Sequence, residues 1–261
     1  MVEYTFSLLN FEYWLLVLVR ISSFMFVAPF FSQKGVPNQA KIGLACFTAI
    51  LVYGVVPHPT LEYTGMIGFS MVVLKEGITG LLIGFVASIC NSIVLLAGNM
   101  TDMDIGLSMA TLFDPDLSTQ MTLTGSLYYY VVFVLLIISD MHLYILRAIC
   151  DSFHVVPIGG LEFVWDNLLI SVIRFMTDLF VIAFRIFLPI FACMMVLNCI
   201  LGIMAKVAPQ MNMFSIGMQL KVLVGYAVLF FTVFLFPHVA DMVFQEIKTM
   251  VVLFVEGMYG S

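Results

Sequence analysis

The sequence predicts an all-α, polytopic membrane protein built from about six long, kinked helices. Of its 261 residues, 62% are hydrophobic and only 10% are charged, whereas a soluble domain carries roughly 25% charged residues. The mean hydropathy is +1.12, and the apolar residues fall into six segments separated by polar, proline and glycine residues. The net charge of −6 leaves no basic face for nucleic acid, so no nucleic-acid partner is expected.

The first two apolar segments cover about residues 8–31 and 42–56. The first is long enough to span a bilayer, which takes roughly 20 residues, and Pro29 ends it. Glu12 and Arg20 are eight residues apart, so both lie near one face of a helix. We expect that face to lie against protein instead of lipid.

The third segment, residues 64–97, is too long for one simple span. Its 34 residues would form a helix of about 50 Å at about 1.5 Å per residue, against a hydrocarbon core of roughly 30 Å. Either the helix breaks or the protein does not sit in a simple bilayer. Gly77, Gly80 and Gly84 recur at helical spacing and predict a close contact with another helix, within the chain or in a neighbouring subunit.

The connection 98–120, GNMTDMDIGLSMATLFDPDLSTQ, is the longest polar interruption of the chain. It contains no Lys or Arg but four carboxylates: Asp102, Asp104, Asp114 and Asp116. Connections of this length inside a compact protein are usually functional or disordered, and the apolar residues between the acids favour a function. Asp114, Pro115 and Asp116 predict the start of the next helix, with an acidic cap and proline in the first turn.

Charged residues recur at helical spacing in the later apolar segments, 121–150 and 168–204. Their signs run negative, positive, negative in the first of these and positive, negative, positive in the second. An arginine in the centre of a lipid-exposed helix costs at least about 2.5–3.5 kcal/mol, so these side chains are expected to face other helices or water. The predicted buried charge network comprises Arg20, Asp140, Arg147, Arg174, Asp178 and Arg185, with Asp151 continuing the first stripe.

Two prolines shape the end of the chain. Pro189 is expected to kink the fifth segment. The sixth segment, residues 222–236, is expected to run past Pro237 to a polar C-terminus. The connection lysines, which lie in the first and fifth connections, would be cytoplasmic by the positive-inside rule and would place both termini outside.

Catalytic and ligand-binding motifs are absent from the sequence. There is no phosphate-binding loop, zinc-hydrolase motif, dinucleotide fingerprint or nucleophile elbow. The four His residues are far apart, and the five Cys residues form no C-x-x-C pair. We therefore predict that the chain is not an enzyme and takes no metal or other cofactor.

Several motifs together resemble those of one family. They are Arg20 with APFF (28–31), VPNQAKIGLA (36–45), the Glu76, Gly80 and Gly84 series, DIGLSMATLFDP (104–115), Gln120 and above all VAPQMNMFSIGMQLK (207–221). From about Phe11 to Phe236 the chain resembles the FliR/SctT family, the export-gate components of type III secretion, and within it the flagellar branch.

This resemblance implies a single export-gate subunit over residues 1–261, made of helical hairpins. Residues 1–150 would be similar to FliP and residues 151–261 to the helical hairpin of FliQ. The subunit would join FliP and FliQ, with FlhB attached, in the flagellar basal body at the bacterial inner membrane. Unfolded flagellar proteins would be threaded through the gate.

The resemblance also implies a role for the connection 98–120, which would project into the channel as a plug. The implied plug residues are Met103, Met109, Leu112 and Phe113. Met109 and Phe113 would lie at the constriction.

Two other classes also fit the apolar pattern. A secondary transporter with two three-helix repeats would have six segments and charges within the membrane. A polytopic membrane enzyme fits the hydropathy alone. A transporter should purify as a monomer or simple dimer that binds a small solute, an enzyme needs a catalytic pair, and a gate subunit should be unstable without its partners.

Overall fold

A computed structural model describes residues 8–33, 35–56, 63, 65–107, 122–161, 165–208, 210 and 213–258. All regular secondary structure in these residues is helical, which confirms the predicted all-α class. The helices are α1 (Leu8–Val27), α2 (Asn38–Tyr53), α3 (Gly65–Cys90), α4 (Ser92–Ile105), α5 (Leu123–Ile138), α6 (Met141–Val155), α7 (Trp165–Val207), α8 (Met213–Thr232) and α9 (Phe236–Gly257), with a 3-10 turn at Val233–Leu235.

The chain divides into two compact units. The first comprises Met1–Ile89, Asp140–Phe175 and Glu246–Ser261, and α1 lies in its core. The apolar side chains of α1 that are fully buried are Leu16, Val17, Ile21, Phe24 and Met25. Since burying one such side chain contributes roughly 1.5–3 kcal/mol, α1 is a main hydrophobic support of this unit. It packs along α2 and approaches α3 closely at glycine residues.

The second unit comprises Cys90–Ser139 and Met176–Gln245. Here α4 packs along α5. The aromatic rings of Tyr128 on α5 and Phe236 at the start of α9 meet edge to face, with centroids 4.9 Å apart. Thr122 caps α5, because its side-chain oxygen accepts a hydrogen bond from the Gly125 N–H at 3.3 Å.

Three helical stretches in the described part of the chain are long and apolar enough to cross a membrane: Gly65–Ile105, Leu169–Val207 and Ser215–Gly257. A fourth would result if α5 and α6 formed one broken span. This number is smaller than the six segments expected from the sequence. The 16 residues of α2 show one reason, since at about 1.5 Å per residue they reach only about 24 Å.

The polar stretch that begins at Gly98 starts as helix. We expected a connection over residues 98–120, but α4 continues to Ile105. Thr101 in this stretch is buried, and its hydroxyl donates to the Ala97 carbonyl at 2.9 Å. The helix ends at Gly106, whose φ of +91° is the left-handed conformation in which glycine commonly terminates helices.

Other segments also differ from the expected pattern. Asp140, with φ of +56°, separates α5 from α6, so the fourth segment forms two helices. Residues after Phe236 form α9 instead of a polar tail, with Pro237 in the first turn, where its missing N–H removes no intrahelical bond. Pro189 lies inside α7, which continues through it, so the kink expected there stays a prediction.

Candidate functional site

Arg20 and Glu76 form a buried ion pair in the first unit. The Arg20 Nε and Glu76 Oε2 atoms are 2.6 Å apart, and the two side chains are 0% and 1% exposed. The pair joins α1 to α3 across 56 residues of sequence. Removing either side chain should destabilise the fold, because it leaves the other charge buried without its counter-charge.

Arg20 also binds the C-terminal end of α6. Its Nη1 donates to the Val156 carbonyl at 2.9 Å and to the Ser152 carbonyl at 3.4 Å. Its guanidinium lies 4.2 Å from the centroid of the Phe153 ring. The last carbonyls of a helix lack partners within the helix, and a cation there also interacts favourably with the helix dipole. Arg20 therefore holds α6 against α1.

Glu76 and Lys75 bind the turn that follows α6. The Glu76 Oε1 atom accepts a hydrogen bond from the Gly159 N–H at 2.8 Å, and the Lys75 Nζ donates to the Gly159 carbonyl at 3.3 Å. Gly159 has a φ of +77°, a conformation that favours glycine. The charged cluster thus connects α1, α3, α6 and this turn.

Glu12, which the sequence grouped with Arg20, has a separate partner. Its carboxylate accepts a hydrogen bond from the Tyr63 hydroxyl. That hydrogen bond raises the pKa of Tyr63 above its ordinary value. The partner of Arg20 is Glu76, which lies on another helix, so spacing along one helix could not reveal it. The glycines near Glu76 indicated that another helix approaches α3 there, and that helix is α1.

The three predicted packing glycines differ in how closely α1 approaches them. A Cβ on Gly80 would lie 2.1 Å from the Arg20 carbonyl oxygen and 2.2 Å from the Ser23 Oγ. A Cβ on Gly84 would lie 2.9 Å from the Phe24 carbonyl oxygen. At Gly77 the nearest atom is a methyl carbon of Val19 at 3.8 Å, which is ordinary contact.

In the second unit, the end of α4 is joined to the start of α5. A Cβ on Gly98 would lie 2.3 Å from the Gly125 Cα. The Thr122 hydroxyl donates to the Asn99 Oδ1 at 2.7 Å. The carboxylate of Asp102 accepts hydrogen bonds from the Thr124 N–H, at 2.9 Å, and from the Thr124 hydroxyl. We call these contacts the stem.

The predicted plug residues are mostly not described. Met103 lies on α4 with 71% of its side chain exposed. Met109, Leu112 and Phe113 lie outside the described residues, as does the Asp114 to Asp116 cap. Their role as a plug therefore stays a prediction.

The residues of the predicted charge network have different environments. Arg20 is buried within the chain. Asp178 is half-buried, and the exposed members are Asp140, Arg147, Arg174 and Arg185. Arg185 lies with its Nη1 3.9 Å from the Met242 sulfur. Burial of the exposed members in an assembly remains a prediction.

Comparison with known proteins gives one family. Residues 11–247 match the family described as bacterial export proteins, family 1. Flagellar biosynthetic protein FliR of Bacillus subtilis (strain 168) is 29% identical over 222 residues, which is 84% of this chain and 85% of that protein. The protein of the same name from Escherichia coli (strain K12) is 26% identical over 245 residues, covering 94% of this chain and 92% of the relative. The FliR of Buchnera aphidicola subsp. Acyrthosiphon pisum is 26% identical, with 83% of each chain covered.

Proposed function

The chain belongs to the bacterial export proteins, family 1, as a component of the flagellar export apparatus, and we propose that it is the gate subunit that lines and plugs the protein-export channel. The observation that supports this proposal most strongly is the family match, which covers residues 11–247, nearly the whole chain. The relatives that share most of its length are named for flagellar biosynthesis.

The exposed apolar surface of the later helices supports a subunit that is embedded and assembled. Most of the apolar stretch within Ser215–Gly257 that is suited to cross a membrane is exposed in the single chain. Exposed aromatic side chains on α7 and α8 include Phe180, Phe184, Phe191, Phe230 and Phe231. Apolar surfaces of this kind mark contacts with membrane or with other proteins. We assign those contacts to lipid and to FliP, FliQ and FlhB in the basal body of the inner membrane.

The connection between α4 and α5 supplies the plug. An export channel must pass an unfolded flagellar protein yet hold back ions and small molecules when idle. A hydrophobic constriction can do this by dewetting, without a charged gate. Met109 and Phe113 are the stopper, and the flexible methionine side chain adapts its shape to the opposing wall. We assign Met103 and Leu112 to the same plug.

Membrane leak tests this proposal. A double variant, Phe113→Gly with Met109→Gly, is co-expressed with FliP and FliQ, and the flux of ions and small solutes across the membrane is measured. We expect normal assembly with increased leak, because the constriction loses its apolar side chains. A matched control, Met66→Gly with Phe47→Gly, removes the same residue types from exposed positions elsewhere and should leak no more than the parent.

The opposite outcome would contradict the plug assignment. If the Phe113 and Met109 double variant assembles, secretes and leaks like the parent, the seal lies in other residues or in the partner subunits. The family membership would be unaffected.

A further inference from the structure

A pocket in the second unit lies between α7 and the junction of α8 with α9. Two of its walls depart there from a regular hydrogen-bonded α-helix: Pro189 brings no N–H to α7, and Val233–Leu235 is a 3-10 turn. Its volume is about 150 Å³, and a cavity of about 150 Å³ can hold a group of the size of benzene. The pocket is therefore large enough to take one side chain from another protein.

The lining of this pocket is apolar except for a few side chains, two of which are basic. The basic side chains are Arg185 of α7 and His238 of α9, and none of the described residues that line the pocket is acidic. Thr232 also lines it, but its hydroxyl donates to the Leu229 carbonyl at 2.8 Å. A guanidinium is always charged, and an imidazole can donate a hydrogen bond in either protonation state. The pocket therefore favours an anionic group.

Arg185 finds no carboxylate within the described part of its own chain. Its Nη1 lies 3.9 Å from the Met242 sulfur, which is a weak acceptor. Its neighbours Phe184 and Leu188 are apolar and exposed. An arginine in an apolar stretch of a membrane protein is costly unless it finds a counter-charge or water. The counter-charge of Arg185 must therefore come from another molecule.

The positions of the two basic residues favour a protein carboxylate over a lipid headgroup. Arg185 lies 16 residues after the start of the apolar stretch Leu169–Val207 and 22 before its end. His238 lies 23 residues after the start of Ser215–Gly257 and 19 before its end. At about 1.5 Å per residue each is more than about 20 Å from either end of its stretch. A stretch centred in the bilayer thus holds its basic residue far from the headgroups, where an acid on another helix can reach it.

We propose that this pocket is the docking site for one acidic side chain, Asp or Glu, on a helix of a neighbouring subunit. This inference rests on the proposed function and adds the chemistry of one of its contacts. The Arg185 guanidinium donates to both oxygens of the carboxylate, because its planar fork of N–H groups matches them. His238 supplies a further donor from α9. The apolar lining strengthens these bonds by lowering the local dielectric constant.

Substitutions at Arg185 test the charge in complexes co-expressed with FliP and FliQ and purified through a tag on this chain. Arg185→Gln keeps hydrogen-bond donors but removes the charge, so the FliP and FliQ recovered per tagged chain should fall several-fold. Arg185→Lys keeps the charge and should retain most of the complex. The control is Lys206→Gln, which removes an exposed positive charge from the last turn of the same helix and should assemble like the parent.

Two further measurements separate docking from folding. His238→Phe keeps an aromatic ring but removes the donor, and it should lower the recovery of FliP and FliQ by less than Arg185→Gln does. Thermal unfolding of the isolated chain in detergent should be the same for Arg185→Gln and the parent, because the side chain is exposed. An Arg185→Gln chain that unfolds well below the parent would show a role in folding and would overturn the docking site.

Photo-crosslinking identifies the occupant. A photoreactive amino acid replaces Leu235, which lines the pocket and is 47% exposed, and the linked peptide of the purified complex is sequenced. We expect a peptide of a neighbouring subunit that contains Asp or Glu. Neutralising that acid should lower the yield of complex as much as Arg185→Gln, and the two changes together should lower it no further. Linkage to lipid alone, no linkage, a peptide without an acid, or losses that multiply as for independent sites would each overturn the proposal.

Failure of the docking site can be distinguished from failure of the proposed function. If the parent chain recovers neither FliP nor FliQ, the proposed function is wrong and the docking site fails with it. If the parent complex forms while Arg185→Gln and His238→Phe assemble like the parent, the export-gate subunit stands and only the docking site fails.

Discussion

The arginine of α1 and the arginines of α7 lie in opposite environments. Arg20 is fully buried and finds a carboxylate, two backbone carbonyls and an aromatic ring in its own chain. Arg174 and Arg185 are exposed on a helix with many exposed apolar side chains. Arg20 therefore stabilises the folded subunit from within, whereas burial of the α7 arginines in an assembly stays a prediction.

The largest effect is expected at Arg20. Arg20→Ala leaves Glu76 buried without its counter-charge and removes the cap of α6, which should cost about 3–5 kcal/mol of folding stability. Thermal unfolding of the purified protein in detergent measures the loss. Arg147→Ala, at an exposed position on α6, serves as the control and should change stability little. If the two variants lose the same amount of stability, the buried ion pair contributes no more to folding than an exposed arginine does.

The glycines on α3 give an intermediate and graded effect. Gly80→Ala forces a Cβ against the Arg20 carbonyl oxygen at 2.1 Å and should destabilise by about 1–3 kcal/mol through overpacking. Gly84→Ala should also destabilise the protein, but by less, because a Cβ there would lie 2.9 Å from the Phe24 carbonyl oxygen. Gly77→Ala has room and should be neutral or stabilise by up to about 1 kcal/mol, since alanine favours helix over glycine. The midpoint of thermal unfolding ranks the three.

Gly84→Leu extends the same test to assembly. The larger side chain should lower the yield of complex with FliP and FliQ, because α1 and α3 are forced apart. An unchanged yield would show that this glycine face tolerates bulk and is not a constraint on assembly.

The smallest effect on the isolated chain is expected on α7. Arg185→Ala removes an exposed side chain and should change the free energy of unfolding by less than about 0.5 kcal/mol. In co-expression, Arg185→Ala and Asp178→Ala should both lower the amount of assembled complex, because partner subunits would lose an opposite charge. If both variants assemble and secrete like the parent, the charges on α7 face water in the assembly.

The sequence predicted what depends on local pattern. Apolar composition gave the helical class, and the spacing of Gly80 and Gly84 marked the face of α3 that approaches α1. The partner of Arg20 lies 56 residues away, and periodicity along one helix carries no information about such a pair. Asp102 was assigned to a polar connection because its neighbours in the sequence are polar. In the structure it is buried in α4, and its carboxylate accepts a hydrogen bond from the Thr124 N–H. The C-terminus was expected to be polar beyond Pro237, yet these residues form α9, because proline is compatible with the first turn of a helix.

The most direct test of the central claim, that the chain is an export-gate subunit, is purification after co-expression with FliP and FliQ. A tag on this chain should recover all three proteins as one hetero-oligomeric complex, and the chain purified alone in detergent should be less stable than it is in the complex, because its exposed apolar helices lack their partners. Recovery of a stable monomer or simple dimer that binds a small solute and retains neither FliP nor FliQ would contradict the claim and favour a transporter.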